Sequence, residues 1–234
     1  MEIKDTVRQW GRRLRVGSAL PLTAAVRTYG DTDKLVHDYT RHYDRHLHTR
    51  RWRRNRVLEI GVGGYESREP GGSLRVWRDY FPRSRVVGFD LHAKEVDLGP
   101  RVAFVQGDQT DPAALDRAVA ALGGPPDVVI DDGSHLDDHA GRTFRYLFPQ
   151  MPAGAVYVVE DVHTSYWETW GGGLPAPDAS AVGLAKALVD AVQVNDSTYR
   201  RRPQHGPAPT SDVAGAAALH VYPGIVFVEK VASA

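Results

Sequence analysis

The sequence predicts an α/β domain whose sheet is mainly parallel, with helices on both faces and a last strand running antiparallel. Three observations carry that expectation. Short β-branched runs alternate with segments of helical periodicity from Val57 onward, the pattern of successive strand–helix–strand units. Two of the runs, in VVIDDGSH (Val128–His135) and VYVVED (Val156–Asp161), are apolar throughout and then stop at acids. Strands buried on both faces read this way, and in open α/β sheets ligands bind just outside their carboxyl ends. The chain then closes with Leu219–Tyr222, a Pro223-Gly224 turn and Ile225–Val231, which reads as a hairpin.

The bulk numbers bound the rest. A chain of 234 residues suits one such domain with an extra segment, here residues 1–50 as a helical or lid segment and 51–234 as the α/β domain. Lys and Arg number 29, as do Asp and Glu, so the zero balance gives no global attraction to nucleic acid or membrane. The absence of cysteine excludes disulfides, thiolate nucleophiles and Cys-based zinc sites. The N-terminal residues lack the apolar core of a signal peptide and no run reaches membrane-spanning length, so a soluble cytoplasmic protein is expected.

Taken in order, Ile3, Val7, Trp10 and Leu14 recur at helical spacing and predict an amphipathic helix packed on the domain or on a second subunit; a membrane-surface helix is the lesser reading. Pro21 opens a second helix running to about Tyr29. Thr32–Leu47 is expected to be helical from Asp33 on, and its His37, Tyr39, Tyr43 and His46 suit either a core cover or a lid. The basic run Arg50, Arg51, Arg53, Arg54 and Arg56 reads as a solvated approach to the first strand rather than a phosphate contact, because no stacking-aromatic pattern follows it.

Val57–Ile60 is the first strand. Glu59-Ile60-Gly61-Val62-Gly63-Gly64 covers its exit, where glycines let the backbone turn and approach a ligand, although Gly64 directly after Gly63 does not fit GxGxxG. Ser73 is read as the cap of a helix holding Leu74, Val76, Trp77 and Tyr80, whose N-terminus attracts an anionic group. Arg85–Asp90 is the second strand, and its terminal acid either takes ribose hydroxyls or caps a turn. Val102–Val105 is the third, with Asp108 and Gln109 beyond it reading an adenine edge or capping the helix Ala113–Leu122. Val128–Ile130 and Val156–Val159 follow, separated by a helix from about Leu136 to Phe148. If these two strands are neighbours they lie roughly 5 Å apart, and Asp132, His135, Glu160 and Asp161 then share one small space.

Plainer readings of that cluster stand beside this one. Asp131 and Asp132 would serve as caps of the helix at Leu136, with Asp131 otherwise a support at the strand end. His135 alone is more often structural than catalytic. His135 and His139 have the spacing of a zinc pair on a helix but lack the HExxH glutamate. Further on, the loop Gly171–Pro177 is expected to be mobile and substrate-facing, Ser180–Val194 helical, and Tyr199–Gly215 an Arg/Pro-rich, disordered excursion. There are no internal repeats.

Together LEIGVGGYE, Ser73 with its helix, VVGFD, QGDQTD, VVIDDGSH and VVEDVHTSYW resemble the sugar O-methyltransferases of antibiotic biosynthesis. These are S-adenosylmethionine- and Mg²⁺-dependent class I enzymes that methylate rhamnosyl or other deoxysugar hydroxyls on macrolides and aromatic polyketides. Proteins known as cephalosporin hydroxylases share much of the pattern. The resemblance covers about residues 29 to 170 and the terminal hairpin, with one departure: Asp31-Thr32-Asp33-Lys34 stands where the family often has Gly-Thr-Asp-Lys. It implies a Rossmann-like class I methyltransferase fold in which Glu59, Gly61 and Gly63 shape the methionine end of the cofactor site. Ser73 would lie near that end, Asp90 would hold the ribose, and Asp108 with Gln109 would flank the adenine. Asp132, Glu160 and Asp161 would hold Mg²⁺, and His135 would be the general base.

The chemistry agrees with that implication. A sugar hydroxyl is a poor nucleophile until its proton is leaving, a bound Mg²⁺ orients it and favours the alkoxide, and a positioned imidazole takes the proton. The cation also accounts for three acids that otherwise repel one another. The expected partners are a glycosylated small molecule and further copies of the chain, with neither nucleic acid nor membrane. The competing readings are a tailoring enzyme for another acceptor, a nicotinamide-dependent dehydrogenase (against which the GVGG spacing argues), a nucleic-acid methyltransferase, and a non-catalytic scaffold.

Overall fold

A computed structural model describes residues 21–29, 32–63, 71–136, 138–194 and 215–231. The N-terminal amphipathic pattern and the Arg/Pro-rich excursion up to residue 214 lie outside the described residues, as does most of the glycine-rich loop from Gly64 to Pro70. Among the described residues no helix is long and apolar enough to cross a membrane.

Strands β1 (Arg56–Ile60), β2 (Arg85–Asp90), β3 (Val102–Gln106), β4 (Val128–Asp131), β5 (Val156–Val159), β6 (Ala216–Tyr222) and β7 (Ile225–Lys230) form one seven-stranded sheet in the order β3-β2-β1-β4-β5-β7-β6. The first five pair in parallel, and β7 inserts antiparallel between β5 and β6. The expected parallel sheet with a reversed final strand is therefore the sheet observed. Strand order changes direction at β1, which lies between β2 and β4, and such a switch point opens a crevice at the strands' carboxyl ends.

The strands are valine-rich because helices cover both faces. Leu58, Ile60, Val87, Val129, Tyr157 and Val159 point to one side, against α4 (Pro112–Leu122), α5 (His139–Leu147) and α6 (Ala181–Val194). Val57, Val86, Val128, Ile130, Val156 and Val158 alternate to the other side. There they meet α1 (Leu22–Tyr29), α2 (Thr40–Leu47) and α3 (Gly72–Tyr80), whose Leu74, Val76, Trp77 and Tyr80 are fully buried. Glu59 also faces this side at 0% exposure, a carboxylate in a row of hydrophobic positions.

Several expected boundaries shift, each for a local reason. The helix expected from Asp33 to Leu47 is broken into a 3-10 turn, Asp33–Leu35, and α2, with Asp38 between them at φ 57. The break lets Lys34 turn inward, where it is 2% exposed. Ser73 does not cap its helix: Gly71, left-handed at φ 80, holds the cap position, and the Ser73 hydroxyl instead donates to Glu59 Oε2 at 2.8 Å. Asp108 is not the cap of α4 either, because Asp111 accepts from Ala113 N at 3.0 Å with Pro112 opening the helix. Helix α5 begins at His139, after Asp138, so neither Asp131 nor Asp132 caps it.

Candidate active site

The sheet's hydrogen bonding continues one residue past its central strands. Gly61 N donates to Phe89 O at 2.8 Å, Asp132 N to Ile60 O at 2.9 Å, and Glu160 N to Asp131 O at 2.9 Å. This places the first residues after β1, β4 and β5 on one rim, over a cavity of about 610 Å³. That volume is within the range of small-molecule sites. Its wall includes Gly61, Gly63, Ser73, Asp90, Asp108, Gln109, Asp132, His135, Glu160 and Asp161, and it is completed by Thr32–Lys34, His37 and Trp170. Glu59 is the one predicted site residue that does not line it. It sits behind the wall, accepting from Ser73 and from Trp77 Nε1 at 2.9 Å.

At the glycine-rich end the backbone sets the shape. Gly61 has φ +79, and a Cβ there would lie 1.8 Å from the carbonyl oxygen of Asp132, so only glycine lets the β1 and β4 exits pass so closely. Gly63, at φ +60, has no neighbour among the described residues within 4 Å of where a Cβ would lie. Asp90 is 3% exposed and already holds this loop: its Oδ2 accepts from Val62 N at 3.1 Å and its Oδ1 from His92 N at 2.9 Å.

Gln109 is committed to the scaffold. Its Nε2 donates to Asp131 Oδ1 at 3.3 Å and to Thr143 Oγ1 at 3.1 Å, and its Oε1 accepts from Ser134 N at 2.8 Å. Asp131 also accepts from the Tyr157 hydroxyl at 2.8 Å, yet burial outweighs these bonds and pushes its carboxyl up to about 6. The network fixes the loop between β4 and His135. Asp108 is more exposed and takes the Thr110 amide and hydroxyl at 2.7 and 2.8 Å, bonds that hold its carboxyl below the usual range.

At the opposite end the acids converge on Lys34. Its Nζ is 2.6 Å from Glu160 Oε1, 3.3 Å from Asp132 Oδ2 and 3.6 Å from Glu59 Oε1. Burial opposes its charge, but the three carboxylates outweigh burial and hold the ammonium protonated. The Tyr43 hydroxyl donates to the same oxygen of Glu160, and the Tyr39 hydroxyl to Asp161 Oδ1 at 2.7 Å. One ammonium does not balance the cluster: burial first, then Glu160, drive the Asp132 carboxyl well above its ordinary range despite Lys34.

His135 stands at the outer edge of this cluster, with Nε2 3.8 Å from both Asp132 Oδ1 and Asp161 Oδ2. One donor atom from each of Asp132, His135 and Asp161 lies within 4.8 Å of the others. Burial lowers the His135 pKa, against the opposing pull of Asp161 and Glu160, and Trp170 meets its ring edge-on at 5.9 Å. His139 does not join it: its Nδ1 pairs with the Ser134 hydroxyl at 2.8 Å.

The predicted residues of β4 and β5 are thus brought together as the sequence suggested, and the glycine loop, Asp90 and Asp108 face them across the same cavity. Sequence reasoning missed Lys34 and Trp170 as parts of the site and left Tyr39 and Tyr43 between a core cover and a lid. For Lys34 the available signal was its place at the end of Thr32-Asp33-Lys34, which matches the family pattern where the preceding Asp31 does not.

Comparison with known proteins gives the context for this geometry. No family model matches the chain. Mycinamicin VI 2''-O-methyltransferase of Micromonospora griseorubida is 43% identical over 201 residues, covering 84% of this chain and 49% of the relative. The 8-demethyl-8-alpha-L-rhamnosyl tetracenomycin-C 2'-O-methyltransferase of Streptomyces olivaceus is 41% identical over 216 residues, covering 92% of this chain and 56% of the relative. The structure of the MycE methyltransferase in complex with Mg, SAH and mycinamycin VI matches with TM-score 0.79 and 36% identity, covering 99% of this chain and 62% of that one. The chain spans about half the length of the curated relatives it matches. By sequence and by fold it is a homologue of the sugar O-methyltransferases of macrolide and tetracenomycin biosynthesis, and it carries the class I methyltransferase fold found in them.

Proposed function

We propose that this chain is an S-adenosylmethionine- and Mg²⁺-dependent O-methyltransferase for a deoxysugar hydroxyl of a glycosylated natural product. The observation that carries the reading is the meeting of Asp132, Asp161 and His135 on one rim, in the same cavity as the Gly61–Gly63 turn and Asp90. Names of relatives support the reaction class, since those relatives are 2''-O- and 2'-O-methyltransferases of glycosylated antibiotics.

The donor set suits a hard divalent cation. Asp132, Glu160 and Asp161 supply oxygens, which Mg²⁺ prefers to the imidazole nitrogen, so His135 is left for proton transfer. Burial and the neighbouring Glu160 raise the Asp132 carboxyl despite Lys34, which agrees with a further cation beside these acids. When bound, S-adenosylmethionine supplies the methyl group and Mg²⁺ polarises the acceptor hydroxyl.

The chain's own residues do the rest. His135, kept neutral at neutral pH by burial, accepts the hydroxyl proton at Nε2, where Asp132 and Asp161 stabilise the imidazolium that forms. Lys34 and Tyr43 hold Glu160, and Tyr39 holds Asp161, so the carboxylates keep their places without substrate. Trp170 sits against His135 and limits water beside the base. Asp90 keeps the glycine turn in the shape that admits the methionine end of the cofactor.

The test is methyl transfer to rhamnosylated and other deoxysugar-bearing macrolides and polyketides, followed by mass spectrometry of the glycoside. A methylated sugar with the parent chain, and none with Asp132→Ala, supports the reading. Methylation that persists in Asp132→Ala or in excess EDTA removes the metal role. A homo-oligomer belongs to the same proposal, supported by the amphipathic pattern of residues 3–14, and sedimentation analysis checks it.

A further inference from the structure

A second group of metal-ligating side chains lies away from the cavity, where α2 meets the terminal hairpin. His46 comes from α2, His220 from β6 and Glu229 from β7. His220 pairs with Phe227 across the ladder and Glu229 with Ala218, so His220 and Glu229 are diagonal neighbours on one face of the hairpin. His46 lies over that face, its ring stacked on Phe227 at 4.5 Å and 4.3 Å from the ring of His220.

We infer that His46, His220 and Glu229 form a binding site for a borderline transition-metal ion of the zinc type, separate from the oxygen-rich rim of the cavity. One donor atom from each residue lies within 4.8 Å of the other two. Glu229 Oε1 is 3.0 Å from His220 Nε2 and 3.7 Å from His46 Nδ1. Tetrahedral ligands about 2.0–2.1 Å from zinc stand roughly 3.3 Å apart, a spacing these two distances bracket. The longer one exceeds hydrogen-bond range, so direct hydrogen bonding does not close the triangle at His46.

The surroundings are those of a ligand set. His46 presents Nδ1 to Glu229 while its Nε2 lies 3.0 Å from the Tyr222 hydroxyl, and a hydrogen bond at the second nitrogen fixes the ring and tautomer of a metal-bound imidazole. Tyr222 is itself held by the His42 ring stacked on it at 3.8 Å. Burial and the neighbouring His220 push the His46 pKa down to about 4, which keeps the imidazole in the neutral form that binds metal. Two imidazoles with one carboxylate select zinc, cobalt, nickel or copper over Mg²⁺ and leave one position of a tetrahedron open.

The position also gives the site a task. Metal there would clip α2 to the hairpin, two segments more than 170 residues apart in sequence, as the His46–Tyr222 bond spans 176. Tyr43, one turn before His46 on α2, is the residue whose hydroxyl reaches Glu160 in the cavity. The clip thus steadies the helix that holds one of the rim carboxylates.

The test is titration with Co²⁺ as a spectroscopic stand-in, in saturating Mg²⁺, with zinc binding measured in parallel by calorimetry. The expected result is one equivalent with visible d–d absorption, displaced by zinc, retained in Asp132→Asn and lost in His220→Gln and in Glu229→Gln. Tyr222→Phe should weaken it about 10- to 100-fold. Far-UV circular dichroism selects the folded variants, and either of the two ligand substitutions suffices. No bound equivalent in the parent chain, an equivalent removed by Asp132→Asn, or one that survives in either folded ligand variant overturns the proposal.

Discussion

His135 and Asp161, from the exits of two adjacent strands, both adopt left-handed backbone conformations, at φ 56 and φ 52, with Nε2 and Oδ2 3.8 Å apart. Such a conformation costs a non-glycine residue on the order of 1 kcal/mol or more and persists where the surroundings enforce it. Here the ladder bonds of Asp132 and Glu160 and the Gln109 brace enforce it. The strain aims an imidazole and a carboxylate at one point. His135→Asn should therefore slow methyl transfer about 10²-fold or more if the imidazole is the base, with binding of S-adenosylhomocysteine unchanged. Single-turnover kinetics beside calorimetry separates the two effects, and a near-parent rate removes the base assignment.

Lys34 is the buried cation on which three carboxylates lean. Lys34→Met should destabilise the fold by about 3–5 kcal/mol at neutral pH, because removing one partner of a buried pair leaves the others uncompensated. The loss should shrink toward pH 5 as the orphaned carboxyls take up protons, and added Mg²⁺ should stabilise the variant more than the parent. Urea melts at two pH values, with and without Mg²⁺, check this. A loss that is the same under all four conditions contradicts the charge argument.

Asp131 gives a pH dependence of opposite sense to an ordinary salt bridge. Its carboxyl is raised to about 6 in the folded chain, so the folded state holds the proton more tightly than the unfolded state. Its stabilising contribution is complete below about pH 4 and is lost as pH rises through about 6, a change on the order of 3 kcal/mol. In EDTA, the stability of the parent relative to Asp131→Asn should fall across that window and level off above it. A difference independent of pH contradicts the assignment.

Gly61 and Gly63 separate two kinds of requirement. Gly61→Ala drives a Cβ into the Asp132 carbonyl and should cost about 4 kcal/mol or more, while disturbing the rim. Gly63→Ala meets nothing within 4 Å among the described residues and should carry the backbone penalty alone, about 1–2 kcal/mol. Equal melting-temperature losses in the two variants would sink this distinction.

Much of this is legible in the sequence itself. β4 and β5 announce themselves because apolar runs that end in Asp131-Asp132 and Glu160-Asp161 have few other uses, and neighbouring parallel strands bring such ends together. Lys34 was not readable as a partner of Glu160, because the pattern from Asp33 to Leu47 looks like one continuous helix and only the turn at Asp38 sends Lys34 inward. Ser73 reads as a cap, and capping is one of two uses open to Asp108, since a hydroxyl or carboxylate beside a helix start has that use by default. Here Glu59 and Thr110 compete for them. The His46–His220–Glu229 group had no sequence signal, since its members meet only through the antiparallel insertion of β7.

The most direct test of the account is a calorimetric titration of the chain with S-adenosylhomocysteine, run once with Mg²⁺ and once with EDTA. The proposed site, with Gly61, Gly63 and Asp90 at the cofactor end and Asp132, Glu160 and Asp161 at the metal end, predicts saturable one-to-one binding in both buffers, weakened by Asp90→Ala and unaffected by Asp132→Ala. The absence of binding in both buffers would contradict the methyltransferase reading itself.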